Sequence, residues 1–247
     1  MIDIISPLTR QREAQVTEPR ETIYHLSAVT FAYPLKETQQ ALEEGRLQGS
    51  FSHAWVASGE QPWPELNASK DLHSLEVGYM ATFIHGHRGK PRVPLVASAY
   101  PQLIAGQTPG AFMLNVQAFY SHFGLKAAVD DEGIKDEPDH VVTMLEFCAL
   151  LCHLELKALV GGRDTSTFRR AQRDFLARYL IPMLRILRGT YAKESHYELD
   201  ATLAYLITVL PDWASAQHRA LEDQVGPSSK STTENTSVAS ANQSMWT

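Results

Sequence analysis

The stretch GIKDEPDHVVTMLEFCALLCHLELKALV, residues 133–160, decides the fold. It reads as a turn, an abrupt helix start and a long, mostly apolar helix. Pro138 suits the first helical position, where its missing N–H costs nothing. Glu137 precedes that proline and is pushed out of helical geometry, so it marks the boundary. Asp139 and His140 then fall in the first turn. Beyond them Val141, Met144, Leu145, Cys148, Leu151, Cys152 and Leu159 form one stripe, widened by Phe147 and Leu154. A helix apolar over so much of its circumference belongs inside a larger helical body. Asp136, Glu137, Asp139 and His140 therefore stand at the mouth of a core helix, beside its free N–H groups and positive dipole end.

Outward from this helix the same period recurs. Residues 20–33, 36–48 and 50–57 read as helices, and GEQPWPELN reads as a loop. Residues 71–85 are helical, with Leu72, Leu75, Tyr79 and Phe83 on one face. The Gly- and Pro-rich stretch that follows is expected to be a long functional loop, with a short turn at 96–100. A helix restarts over 109–123 and ends at Gly124. Residues 165–187 form a helix kinked or divided at Pro182. Helices over 195–209 and 211–224 close the fold. Residues 1–19 are polar and expected to be flexible, and 226–247 read as a disordered tail. The expected class is all-α: one helical domain over 20–225, with no repeat and no strand.

The chain has 247 residues and a formal net charge of -6, which disfavours a general nucleic-acid binder. No apolar run is long enough to span a membrane, and the N-terminus has no secretory pattern. The two cysteines, Cys148 and Cys152, lie four apart on one helix, which argues against a disulfide framework and suits the cytoplasm.

Several constellations carry two readings. The Glu137–His140 segment is either a plain helix start or a carboxylate set for a cationic partner. Glu146, within an apolar run, is expected to be buried and paired with a neighbouring helix or backbone donors. Tyr79 and Phe83 are either core or the wall of an apolar peptide groove. Glu137, His140, His85 and His87 invite a metal-enzyme reading. A di-iron bundle needs a second Glu-x-x-His pair, and there is none. Neither a phosphate loop of Walker type nor a Gly-x-Ser-x-Gly elbow occurs.

In their order along the chain, several segments resemble the maturation chaperones of the TorD/DmsD/NarJ type. They are LEVGYMATFIHG, VPLVASAY, NVQAFYSHFGLKA, EPDHVVTMLEF and QRDFLARYLIPML. The likeness runs from about Leu72 to Trp213. It departs at Thr82, at the turn His85-Gly86-His87, at Leu95 and Val96, and at Tyr179, where the family usually has histidine. The resemblance implies an all-helical, non-catalytic cytoplasmic chaperone with no cofactor of its own. Its implied partners are the apo catalytic subunit of a molybdenum enzyme of the dimethyl sulfoxide reductase type and that subunit's twin-arginine leader peptide. The molybdenum cofactor would be reached only through the client. It implies a peptide-binding set of Tyr79, Phe83, His87, Ser98, Tyr100, Glu137, Pro138, Asp139 and His140, in a monomer or homodimer. A metal-dependent enzyme and an adaptor that does not recognise leaders are the rival classes.

Overall fold

The computed structural model describes residues 7–86, 89–125, 137–194 and 198–228. The expected class holds: the described chain is a bundle of helices with no named strand. Its order is α1 (Pro7–Phe31), α2 (Lys36–Glu43), α3 (Arg46–Ala57), α4 (Leu72–Tyr79), a short α5 (Pro101–Ile104), α6 (Pro109–His122), α7 (Val141–Val160), α8 (Ser166–Phe175), α9 (Ile181–Tyr191) and α10 (Ala201–Val225). Polar side chains cap several starts by accepting otherwise unpaired N–H groups: Asp71 from Ser74, Thr108 from Ala111, and Asp200 from Thr202.

The central helix α7 is laid lengthwise against α1. The stripe Val141, Met144, Leu145, Cys148, Leu151 and Cys152 is fully buried, as the sequence period requires. It meets Ile23, Tyr24 and Phe31 within the same core. Removing one such large side chain from water contributes about 1.5–3 kcal/mol.

Three expectations need correction. Residues 7–19 are not a flexible arm but the first half of α1. The helix is pinned there by polar contacts that hydrophobic period cannot reveal. Thr17 donates to Glu155 at 3.2 Å, and Glu13 pairs with Arg169 at 3.0 Å. Secondly, the two closing helices are one, α10, with Pro211 inside it. Thirdly, Glu146 is exposed, and the buried carboxylate of α7 is Glu155. Of the terminal segments, 1–6 and 229–247 lie outside the described residues.

Pro182 does divide its helix. A π-turn, Leu176–Leu180, precedes it, and the Ile181 N–H donates five residues back to the carbonyl of Leu176. A second π-turn, Met80–Ile84, ends the α4 segment, with the His85 N–H on the carbonyl of Met80 at 2.6 Å.

Candidate functional site

The mouth of α7 is built by two short main-chain segments lying side by side. Val96 and His140 form an isolated antiparallel bridge. The Ala97 N–H donates to the Asp139 carbonyl at 3.0 Å, and the Val141 N–H donates to the Leu95 carbonyl at 2.8 Å. This pairing holds His140 extended, so the helix begins at Val141 rather than at Pro138. His140 is then the cap, its Nδ1 accepting the Val142 N–H at 3.2 Å. Pro138 stands outside the helix, and its carbonyl accepts the Tyr120 hydroxyl at 2.6 Å. The first donors of α7 are thus already engaged by the protein itself.

Asp139 is completely buried. Its Oδ2 accepts the Ser98 N–H at 2.7 Å, while Oδ1 is buried without a partner. It faces into the seam between the two segments and not into solvent. Tyr100 is tied to the same loop, its hydroxyl donating to the Pro94 carbonyl at 2.8 Å, and burial pushes its pKa up to about 12. Tyr79 and Phe83 are only 4% and 3% exposed. Their rings meet edge to face at 5.0 Å, and the Tyr79 hydroxyl donates to the Phe31 carbonyl at 2.9 Å. In this conformation Tyr79, Phe83, Tyr100 and Asp139 are framework, not the open lining of a groove. The long loop is sewn down beside them, because the Arg92 and Val93 N–H groups both donate to the Thr82 carbonyl.

The accessible rim consists of Glu137, which is exposed, with Ser98, Pro138 and His140 half-buried. Glu137 has its pKa raised by burial and by repulsion from Asp139. Neither carboxylate is in an ion pair among the described residues. The structure therefore brings together Ser98, Tyr100, Glu137, Pro138, Asp139 and His140, and separates Tyr79 and Phe83 from their surface. His87 lies outside the described residues.

No group of three or more His, Cys, Asp or Glu side chains able to hold a metal occurs among the described residues. Cys148 and Cys152 are buried free thiols, and burial pushes Cys152 up to about 12. Such thiols are poor nucleophiles at neutral pH.

Two features escaped the sequence reading. One is a buried network on Glu155. Its carboxylate receives Arg20 at 2.7 Å, Arg169 at 2.7 Å and Gln172 at 2.8 Å. Its position gave a signal, because Glu155 continues the stripe of Cys148 and Cys152, whereas Glu146 lies off it. The other is an open groove of about 1020 Å³ between α6 and α8, which needs tertiary structure to be seen.

Comparison with known proteins adds a consistent picture. Residues 34–187 match the family described as nitrate reductase delta subunit. The chain is 40% identical over 228 residues to the dimethyl sulfide dehydrogenase assembly chaperone protein of Rhodovulum sulfidophilum, covering 92% of this chain and 91% of that protein. It is 40% identical over 126 residues to the selenate reductase assembly chaperone protein of Thauera selenatis, covering 50% and 61% of the two chains. It is 27% identical over 178 residues to the perchlorate reductase assembly chaperone protein of Dechloromonas aromatica (strain RCB), covering 69% and 76%. No helix among the described residues is long and apolar enough to cross a membrane.

Proposed function

Because this chain belongs to the nitrate reductase delta subunit family, of the TorD/DmsD/NarJ type, we propose that it assembles the catalytic subunit of a molybdenum enzyme in the cytoplasm. It is a chaperone and not an enzyme. The similarity to the assembly chaperones for dimethyl sulfide dehydrogenase and selenate reductase supports a client of that group. The client is held in its apo form, cofactor insertion takes place in the client, and export waits on completion.

The client's leader peptide is recognised at the mouth of α7. One observation carries this part. Glu137 is an exposed carboxylate, without an ion-pair partner among the described residues, whose charge is opposed by the neighbouring Asp139. A guanidinium placed there relieves that repulsion and is held in fork geometry by the carboxylate. Ser98, Pro138 and His140 supply the rest of the rim. Tyr79, Phe83, Tyr100 and Asp139 act beneath it, by holding the loop against the helix start. If the loop lifts away when the leader binds, Tyr100 and Asp139 become part of the contact.

The test is calorimetric titration of the client's leader peptide into the wild type and Glu137→Gln, with client activity measured in cells carrying each. A wild type that matures its client but binds no leader supports the adaptor reading instead.

A further inference from the structure

We infer that the face formed by α6, α8, α9 and α10 is a second docking surface, shaped for an acidic, amphipathic segment of the protein being assembled. That the partner is the client rests on the reading above; the chemistry of the surface does not.

The charge distribution comes first. From Ser166 to Tyr191 the chain carries Arg169, Arg170, Arg173, Arg178, Arg185 and Arg188 against one carboxylate, Asp174, although the whole chain has a net charge of -6. Three of these cations are committed to partners within the chain. Arg169 holds Glu155 and Glu13, Arg173 holds Asp174 and the Gly226 carbonyl, and Arg188 holds Asp212. Arg170, Arg178 and Arg185 are exposed and form no salt bridge among the described residues, although Asp164, engaged first by Ser166, also feels the charge of Arg170. Among the described residues Arg185 bonds the neutral hydroxyl of Ser215, at 3.1 Å.

The shape comes second. Arg170 and Arg178 border the groove of about 1020 Å³ between α6 and α8. Its floor is apolar, with Phe119, Phe123, Tyr179 and Ala171 all half-buried. The opposite wall, residues 101–125, contains no Asp or Glu at all. A second cleft, of about 640 Å³, lies between α9 and α10 and carries Arg185 and Arg219 together with Asp212, whose charge Arg188 meets at 2.8 Å. Ala177 borders both clefts, so they adjoin on one face. From Arg170 to Arg185 that face extends about 20 Å along the helix axis. That is too long for one small anion and fits a short helix or strand.

The chemistry follows. Guanidinium groups recognise carboxylates in paired hydrogen bonds, and the aromatic floor takes apolar side chains. An arginine-bearing leader is repelled here and attracted at Glu137. The two surfaces are sorted by the sign of the charge they accept.

The probe is a labelled helical peptide with Leu on one face and Glu on the other, titrated into the full chain by fluorescence anisotropy at low and physiological salt. It should bind, and the same peptide with Lys replacing Glu should not. The doubly charge-reversed variant Arg170→Glu/Arg178→Glu should weaken binding at least about tenfold at low salt and remove most of its salt dependence. Both arginines are at the surface, and circular dichroism and melting temperature verify the fold; Arg178→Gln gives a milder second variant. Leader titration into the charge-reversed variant should match the wild type. If leader binding is absent even in the wild type, the α7-mouth reading fails while this one stands.

Unchanged affinity for the acidic peptide in the charge-reversed variant overturns the proposal. So does complete displacement of the peptide by millimolar ATP bound at the same arginines, which makes the surface a phosphate site. A changed sedimentation coefficient of the free variant assigns the face to a second copy of the chain and also overturns it. If the peptide binds only after Asp130, Asp131 and Glu132 are neutralised, the occupant is the chain's own acidic stretch, and the proposal falls.

Discussion

Asp139 accepts the backbone N–H of Ser98 at 2.7 Å across 41 positions of sequence, from a carboxylate that is completely buried. This contact fixes the loop before α5 onto the start of α7. Asp139→Ala leaves the Ser98 N–H without its acceptor, at a cost of about 1–3 kcal/mol. Asp139→Asn keeps an acceptor and costs less. Hydrogen exchange at Ala97 and Ser98 should accelerate in the alanine variant before global unfolding. Equal protection in both variants would show that the carboxylate does not hold the loop.

The network on Glu155 predicts a sharp response to mutation. Glu155→Ala strands Arg20, whose side chain is only 2% exposed, and should destabilise the fold by about 3–5 kcal/mol. The double variant Arg20→Met/Glu155→Leu should recover most of that loss. A denaturant titration of the three proteins decides it; a double variant no better than the single one would mean the pair is favourable in itself.

Burial alone raises the Glu155 pKa, but Arg20 and Arg169 outweigh it and hold the carboxyl below its usual value of 4.5. A depressed folded-state pKa gives stability that is complete above the unfolded-state value and is lost as pH falls through the folded one. The wild type should therefore lose melting temperature as the pH drops below about 4.5, beyond the loss shown by Arg20→Met/Glu155→Leu. Parallel pH profiles for the two proteins would contradict this.

At Glu137 the expected effect is small, because the group is exposed. An exposed ion pair contributes up to about 1 kcal/mol, so Glu137→Gln should weaken leader binding by up to about fivefold. Raising the salt should narrow the gap between the two proteins. A gap that survives high salt would mean the glutamate contributes through something other than its charge.

Two helical glycines should respond with opposite sign. Gly49 in α3 is exposed with open space where a Cβ would go, so Gly49→Ala should stabilise by about 0.5–1 kcal/mol. At Gly78 in α4 a Cβ would stand 2.3 Å from the Glu198 carbonyl oxygen, which is backbone and cannot swing aside. Gly78→Ala should lower the melting temperature despite its better helix propensity. Thermal melts of both variants provide the comparison.

What the sequence disclosed followed from period and punctuation. The stripe of α7, the restart of α6 after Thr108, and the break at Pro182 were all legible, because each is a local rule written in side-chain spacing. What it withheld depends on partners far away in the chain. Nothing local says that Glu13 and Thr17 meet Arg169 and Glu155, so α1 looked as if it began at residue 20 instead of Pro7. Pro211 looked like a boundary, but a proline costs one hydrogen bond, and burial of Leu206, Leu210 and Trp213 carries α10 through it. At the candidate site the sequence pointed to residues but not to their postures. Tyr79 and Phe83 share a face in either reading, and only the packing of α1 and Thr82's loop partners makes that face interior.

The π-turn before Pro182 also governs how the chain tolerates gained or lost residues. A wide turn accommodates one residue more than an α-helix needs, so deleting one position within 176–180 lets the backbone close into ordinary α geometry. The helix beyond it would keep its facing, because the wide turn absorbs the extra residue instead of passing it on. Leu184 and Leu187, now at 2% and 1% exposure, would stay in the core. The same deletion inside the regular turns of α9 would rotate everything after it by about 100°. The π-turn is thus the place in this helix where the chain can change length by one residue without turning its buried face outward.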